Sequence, residues 1–504
     1  MKHAAQWIVI LGLSLLAEGA ALAIEPPSED AIVGPPKGPW RRLFLDAMVV
    51  EQQQGLLRVF HAAEKHQTNP VLRKDKEWEG KGPYLYGTVM WDNGRLRMWY
   101  HHFYGSQYWN SYAESTDGIA WTKPNLGIVS FKGSKDNNIF LTVTEGPAEP
   151  RTVRRQSQCH NPSVIKQPWE RDPAKRYVLY GFSYDYLKPR AAFSPDGLHW
   201  TFVPKTAEKG LFSTADVVNF FHDPYKNRYA ATWKSSNRRG RAVGVATSTD
   251  GLTWTKQVEG PVFVADDLDP DATQIYGMPV FPYQGMYIGL PWIYNARWFK
   301  YGTYADRRLA ESEKDSPCTM DVQLAWSWDL VNWTRLAARA CFIPRGDEGR
   351  FDSGMIYTAR APVQVGDNLY FYYGGMDGPH NAKKWSSAIG LAVLRLDGFC
   401  SMHAGDTEGS LVTRREPMRV PRVTINAKTA AHGYVLAELL DTQNCVIPGF
   451  SREECAPFKG DSVRHVLAWR TATLPVKQLE ADTKIRFVLK NADLYSYLPE
   501  QPSP

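Results

Sequence analysis

The chain has 504 residues, a formal net charge of +6, and 13% aromatic residues, including 18 Trp and 25 Tyr. That length exceeds one ordinary core, so two folded units are expected. The positive charge is dispersed rather than gathered into a basic stripe or tail, which argues against a nucleic-acid partner and leans only weakly toward acidic ones such as anionic polysaccharides.

Lys2 and His3 precede an apolar run from Trp7 to Leu16, and Ala21-Leu22-Ala23 follows as an A-x-A cleavage pattern. This reads as a secretory signal over residues 1–23. The run is shorter than the roughly 20 residues needed to span a bilayer. The mature chain is therefore expected outside the cytoplasm, secreted or periplasmic, with no membrane partner after cleavage.

An internal repeat decides the fold class. Ser115-Thr116-Asp117-Gly118, Ser194-Pro195-Asp196-Gly197, Ser248-Thr249-Asp250-Gly251 and Ser327-Trp328-Asp329-Leu330 each lead to a Trp three residues on: Trp121, Trp200, Trp254 and Trp333. Each is read as strand, tight turn, strand, with Asp accepting turn amides and Gly supplying positive φ. These Asp are read as structural. Before each turn lies a hairpin of apolar and aromatic strands: Tyr86 to Tyr100, His160 to Phe182, Asp216 to Trp233 and Tyr276 to Tyr294. A fifth hairpin, Ser353 to Gly374, leads to Leu396-Asp397-Gly398-Phe399, with Phe in the Trp position.

Five hairpins with five outer turns predict an all-β fold, a five-bladed β-propeller over residues 40–405. Arg42 to Phe60 is expected to complete the last blade. Beyond about residue 410 the repeat stops. Alternating segments such as Gly433 to Leu440 and Lys484 to Leu489 predict a small β-sandwich over 415–497.

Six cysteines stand at 159, 318, 341, 400, 445 and 455, without a C-x-x-C pair, so no zinc site is expected. Cys445 and Cys455 are close enough for a disulfide, or remain buried thiols. No cofactor is expected. The run Asp266-Asp267-Leu268-Asp269-Pro270-Asp271 is the one place that could suit Ca²⁺, although it lacks EF-hand spacing and reads better as a solvated loop.

The hairpin-plus-turn repeat resembles the five-bladed propeller glycoside hydrolases of families 32 and 43, the group of invertases, fructanases, arabinanases and β-xylosidases. The resemblance covers roughly residues 40 to 405, and the following sandwich is similar to family 32. Leu43-Phe44-Leu45-Asp46, Tyr276-Gly277-Met278-Pro279, Phe351-Asp352-Ser353-Gly354 and Gly460-Asp461-Ser462-Val463 look closest to exported bacterial members of this superfamily. The resemblance implies a carbohydrate substrate. Its catalytic motifs do not carry over. Arg171-Asp172-Pro173 lies in a hairpin turn, Glu454-Cys455 lies in the sandwich, and a Trp-x-Asn-Asp-Pro motif is absent.

Blade position supplies the candidates instead. First residues of inner strands face the mouth of a propeller funnel. Glycoside hydrolysis needs two carboxyl groups, one to donate a proton and one to attack or activate water. Asp352 and Asp216 are expected to form that pair, with Asp46 tuning them. His160, Asn161, Tyr86, Tyr276, Trp292 and Arg155 are expected to bind the sugar, with Arg154, Trp91 and Tyr294 as further candidates. The leading expectation is an exported glycoside hydrolase. A non-catalytic glycan-binding propeller and a polysaccharide lyase using His160 or Tyr276 as base are the rivals. A funnel with one carboxyl and several aromatics would favour binding.

Overall fold

The structure is a computed structural model that describes residues 32–105, 107–141, 159–184, 186–204, 206, 209–270, 272–295, 318–418, 422–470 and 482–500. The expected signal segment, Arg154 and Arg155 lie outside the described residues. Nearly every regular element is a strand, and no described helix is long and apolar enough to cross a membrane.

Five antiparallel meanders surround a central channel. Blade 1 runs Pro83–Asp92, Arg95–Tyr104, Gln107–Ser115 and Ile139–Leu141 from the inside outward. Blade 2 runs His160–Lys166, Tyr177–Ser183, Lys188–Ser194 and Thr201–Phe202, and blade 3 runs Val218–Asp223, Arg228–Asn237, Gly240–Ser248 and Thr255–Lys256. In blade 4 the three inner strands are each interrupted. Its upper part pairs Thr273–Gly277 with Trp292–Asn295 and Thr319–Val322. Its lower part pairs Val280–Tyr283, Met286–Gly289, Ala325–Ser327 and Trp333–Arg335. Blade 5 has a split inner strand, Met355–Thr358 and Val363–Val365, followed by Asn368–Met376 and Ser387–Arg395. A single parallel pairing of Met320 with Met355 joins blades 4 and 5.

The repeat turns are what their residues require. In blade 1 Ser115 accepts the Gly118 amide at 2.8 Å, and Asp117 accepts the Ile119 and Ala120 amides, each at 2.8 Å. Blades 2, 3 and 4 repeat this with Asp196, Asp250 and Asp329. Gly118, Gly197 and Gly251 have φ of 79°, 79° and 74°, and in blade 4 Leu330 takes φ 72° in the same place.

Each turn packs on the preceding blade, which closes a fivefold cycle. Tyr372 of blade 5 donates to Gly118 O at 2.7 Å, and Trp99 of blade 1 donates to Gly197 O at 2.7 Å. Tyr180 of blade 2 meets Trp254 edge-on, and Leu330 of blade 4 joins the core beneath Phe221 of blade 3. The fifth turn obeys the rule with its Phe. Tyr283 of blade 4 donates to Asp397 at 2.6 Å and packs edge-on against Phe399.

Closure differs from expectation. The outer strand of blade 5 is Glu64–Lys65, paired with Ser387–Arg395. The preceding strands Arg42–Leu43, Val50–Gln54 and Leu57–Phe60 pair instead with the C-terminal β-unit, in one bent eight-stranded sheet with Cys400–Ala404, Gly409–Thr413, Val423–Leu440, Asp461–Val466 and Lys484–Pro499. A buried network locks this sheet to the ring. Asp397 accepts from Arg41 at 2.6 and 3.0 Å, from Tyr283 at 2.6 Å and from Ser496 at 2.6 Å.

Cys445 is exposed, Cys455 is buried, and both are free thiols. In the acidic run, Asp266 pairs with Arg339 at 2.5 Å, Asp267 pairs with Arg239, and Asp269 pairs with Arg335. The described carboxylates of the run are thus paired with guanidinium groups, where a solvated loop was the favoured expectation and Ca²⁺ the lesser one.

Candidate functional site

The first strand of each blade starts at one end of the channel, the mouth, and the repeat turns mark the far end. At the mouth the inner strands bring Tyr86, His160 and Tyr276 together as expected. The Tyr86 ring lies 5.1 Å from His160 and 4.5 Å from Tyr357, and Tyr276 lies 5.9 Å from Tyr357. All are buried, and their rings form the floor of the funnel. Trp292 is fully buried beneath them, stacked on Tyr86 at 5.2 Å with its Nε1–H donated to Thr358. It cannot serve as a sugar platform, because both its face and its polar edge are occupied. Asn161 sits at the head of blade 2 with φ 61°, and its buried amide has no hydrogen-bond partner among the described residues.

Asp216 is the carboxylate of this cluster. It heads the inner strand of blade 3, where Tyr184 donates to its Oδ2 at 2.6 Å and Lys234 pairs with its Oδ1. Burial alone would raise its pKa, but the Lys234 ammonium, then His160, then the hydrogen bonds outweigh burial and hold the carboxyl well below the ordinary range. Asp216 is therefore ionised. His160 Nδ1 donates to the Asp216 carbonyl at 3.0 Å, since a carbonyl can only accept. The His160 ring stacks on His101 at 5.1 Å, and burial keeps His101 neutral by pushing its pKa well below the usual value.

The other two proposed carboxylates are elsewhere. Asp352 is sealed against blade 5, where its Oδ2 accepts from Lys65 at 2.5 Å and from Tyr373 at 2.9 Å. Tyr373 belongs to the second strand of that blade and Lys65 to the fourth, so the carboxylate points along the blade and not into the channel. Asp46 caps the turn Ala47–Val49 and accepts the Trp328 indole N–H at 2.8 Å. Trp328 lies in a repeat turn, so Asp46 sits at the far end. The expected triad of Asp46, Asp216 and Asp352 does not assemble. Trp91 also lies at the far end, donating to Gln364 O at 2.7 Å.

Several mouth residues come from outside the starts of inner strands. Tyr184 and Lys234 follow or end second strands, Arg241 opens a third strand, and His380 follows the second strand of blade 5. Arg241 lies over Tyr294 at 4.8 Å and Tyr276 at 5.5 Å, and exposed His380 bonds the Tyr276 hydroxyl at 3.2 Å. The signal for them was available, because in a meander the second strand must end where the first began. Applying blade position to both strand ends would have selected them.

No protein-family model matches the sequence, and no curated protein matches it. Solved structures similar to this chain include several named as glycoside hydrolases. A glycosyl hydrolase from Bacteroides ovatus aligns with a TM-score of 0.46 at 16% identity, covering 67% of this chain and 94% of that one. A structure from work on mannoside phosphorylases and the β-1,2-mannoside hydrolases among them aligns at 0.44 and 16%, covering 67% and 94%. A thermostable family-43 glycoside hydrolase aligns at 0.39 and 14%, covering 63% and 91%.

Proposed function

We propose that the protein is an exported carbohydrate-active propeller whose glycan site is the mouth around Asp216. The observation that carries this reading is the Asp216–Tyr184–Lys234 group, set beside Arg241 and His380 on a floor of tyrosine rings. Sugars are held by aromatic surfaces together with a few fixed polar and charged groups, which is the composition found there. Export would follow from residues 1–23, and the mature protein would begin after Ala23, which N-terminal sequencing checks.

Binding is the better supported form of this reading. Hydrolysis requires two carboxyl groups about 5 to 9.5 Å apart. Asp216 is the carboxylate that the described contacts join to Tyr184, Lys234 and His160, and its ionised state disqualifies it as the acid. Hydrolysis is kept as the second form for one reason: an anionic Asp216 suits the base or nucleophile.

Calorimetric titration of a panel of plant and algal glycans, with reducing-sugar release measured in parallel, separates the two. Binding without release, weakened in Tyr184→Phe and Asp216→Asn, is expected. Release that disappears in Asp216→Asn would establish hydrolysis. A panel that neither binds nor is cleaved sinks both.

A further inference from the structure

The far end of the channel holds a cavity of about 840 Å³ that every blade helps to line. Its walls include Trp91, Trp169, His222 and Phe281, and residues 32–36 with Pro39 cover it. That cover is fixed in place. Val33 O accepts from the Gln284 amide at 2.9 Å and from Tyr225 at 2.6 Å, and Ile32 O accepts from the Gln284 side chain at 3.1 Å.

The lining contains Arg41, Lys166 and Arg360 but no Asp or Glu. Arg41 is matched by Asp397, and Lys166 by Asp92 at 3.0 Å. Arg360 differs. It sits at the break in the inner strand of blade 5 and reaches across the channel to Val164 O of blade 2, at 3.3 Å. Its Nε is buried with no partner. Burial, opposed by no carboxylate, pulls its pKa down to about 10. A guanidinium so placed keeps its charge at neutral pH, and a part-buried charge without a counter-charge among the described residues is costly.

An oxyanion is the group that answers this arrangement, since the planar fork of Arg matches carboxylate, sulfate and phosphate oxygens. The remaining wall is apolar and rigid: Trp91, Trp169, and prolines 168, 224, 282 and 362. It suits a compact carbon body attached to the anion. His222 packs on Trp169 at 4.1 Å, and burial keeps it below its usual pKa, so it adds no competing charge.

We propose that the far end of the channel is a binding site for a small organic oxyanion, centred on Arg360 and separate from the mouth. The test uses the mature protein with glucuronate, sulfate and phosphate as probes at constant ionic strength, and glucose as the neutral control. Calorimetry and thermal unfolding are the readouts. At least one oxyanion is expected to bind and to raise Tm in the wild type and in Asp216→Asn. The effect should vanish in Arg360→Met and shrink in Arg360→Lys, which keeps the charge without the fork. The probe that responds identifies the anionic group. A second readout does not depend on the Arg360 variants folding. Ligand-induced change in Trp fluorescence should persist in Asp216→Asn and fall in Trp169→Phe. Three results overturn the proposal: no probe binds, Arg360→Met is stabilised as much as the wild type, or binding is lost in Asp216→Asn while Arg360→Met retains it.

Discussion

At the mouth of the channel Lys234 faces Asp216, and each charge is answered by the other. At the far end Arg360 faces a carbonyl and a cavity wall without acids. Both are cations near the axis of one propeller, but among the described residues only one is matched by a counter-charge. A matched pair is a structural element whose loss leaves its partner stranded. An unmatched charge contributes little to stability and is best understood through what it could hold.

The contrast can be broken by mutation, and the largest effect should come from the most deeply matched charge. Asp397→Ala strands Arg41 and removes the link between ring and C-terminal sheet. It should cost about 3–5 kcal/mol in urea unfolding, the usual penalty for breaking a buried pair. Lys234→Met takes the ammonium from Asp216 and leaves it Tyr184 and His160. Because the Asp216 side chain is 23% exposed, the cost should be smaller, about 1–3 kcal/mol. Arg360→Met should move stability by no more than about 1 kcal/mol, in the stabilising direction, without added ligand. A loss comparable to that of Asp397→Ala would erase the distinction between the two ends.

A smaller effect lies in the repeat turns. Burial raises the pKa of Asp196 and Asp250, but backbone amides outweigh it and hold both near 2. A depressed carboxyl stabilises the fold above its unfolded pKa, and that stability is lost as pH falls through the folded value. These turns should therefore weaken between about pH 4 and pH 2, by a few tenths of a kcal/mol each given their exposure. An acid titration of Asp250→Asn should show a shallower limb than the wild type.

The ring was legible in the sequence because its signal is local. Ser, Asp and Gly within four residues close each turn, and even Leu330 keeps the geometry when Gly is missing. Ring closure was not legible, since Glu64–Lys65 is too short to carry a period. The candidate site was half legible. Asp216, His160, Tyr86 and Tyr276 followed from strand starts. Asp352 met the same rule and failed it, because its partner Lys65 is 287 residues away and no sequence pattern announces that pairing. Trp292 failed for a packing reason, since a Trp beside the channel can be consumed by its neighbours.

The route of the first strands has a further consequence. Residues 42–60 lie in a sheet with strands that end at Pro499, while residues 64–65 close the ring. The chain thus buckles on itself, with its beginning passing through both units. During synthesis the early strands must wait for partners made last, so completion is governed by the most distant contacts in the chain. A protease nick at residues 61–63 would sever the backbone without freeing a fragment, because both sides of the cut remain stitched into sheets.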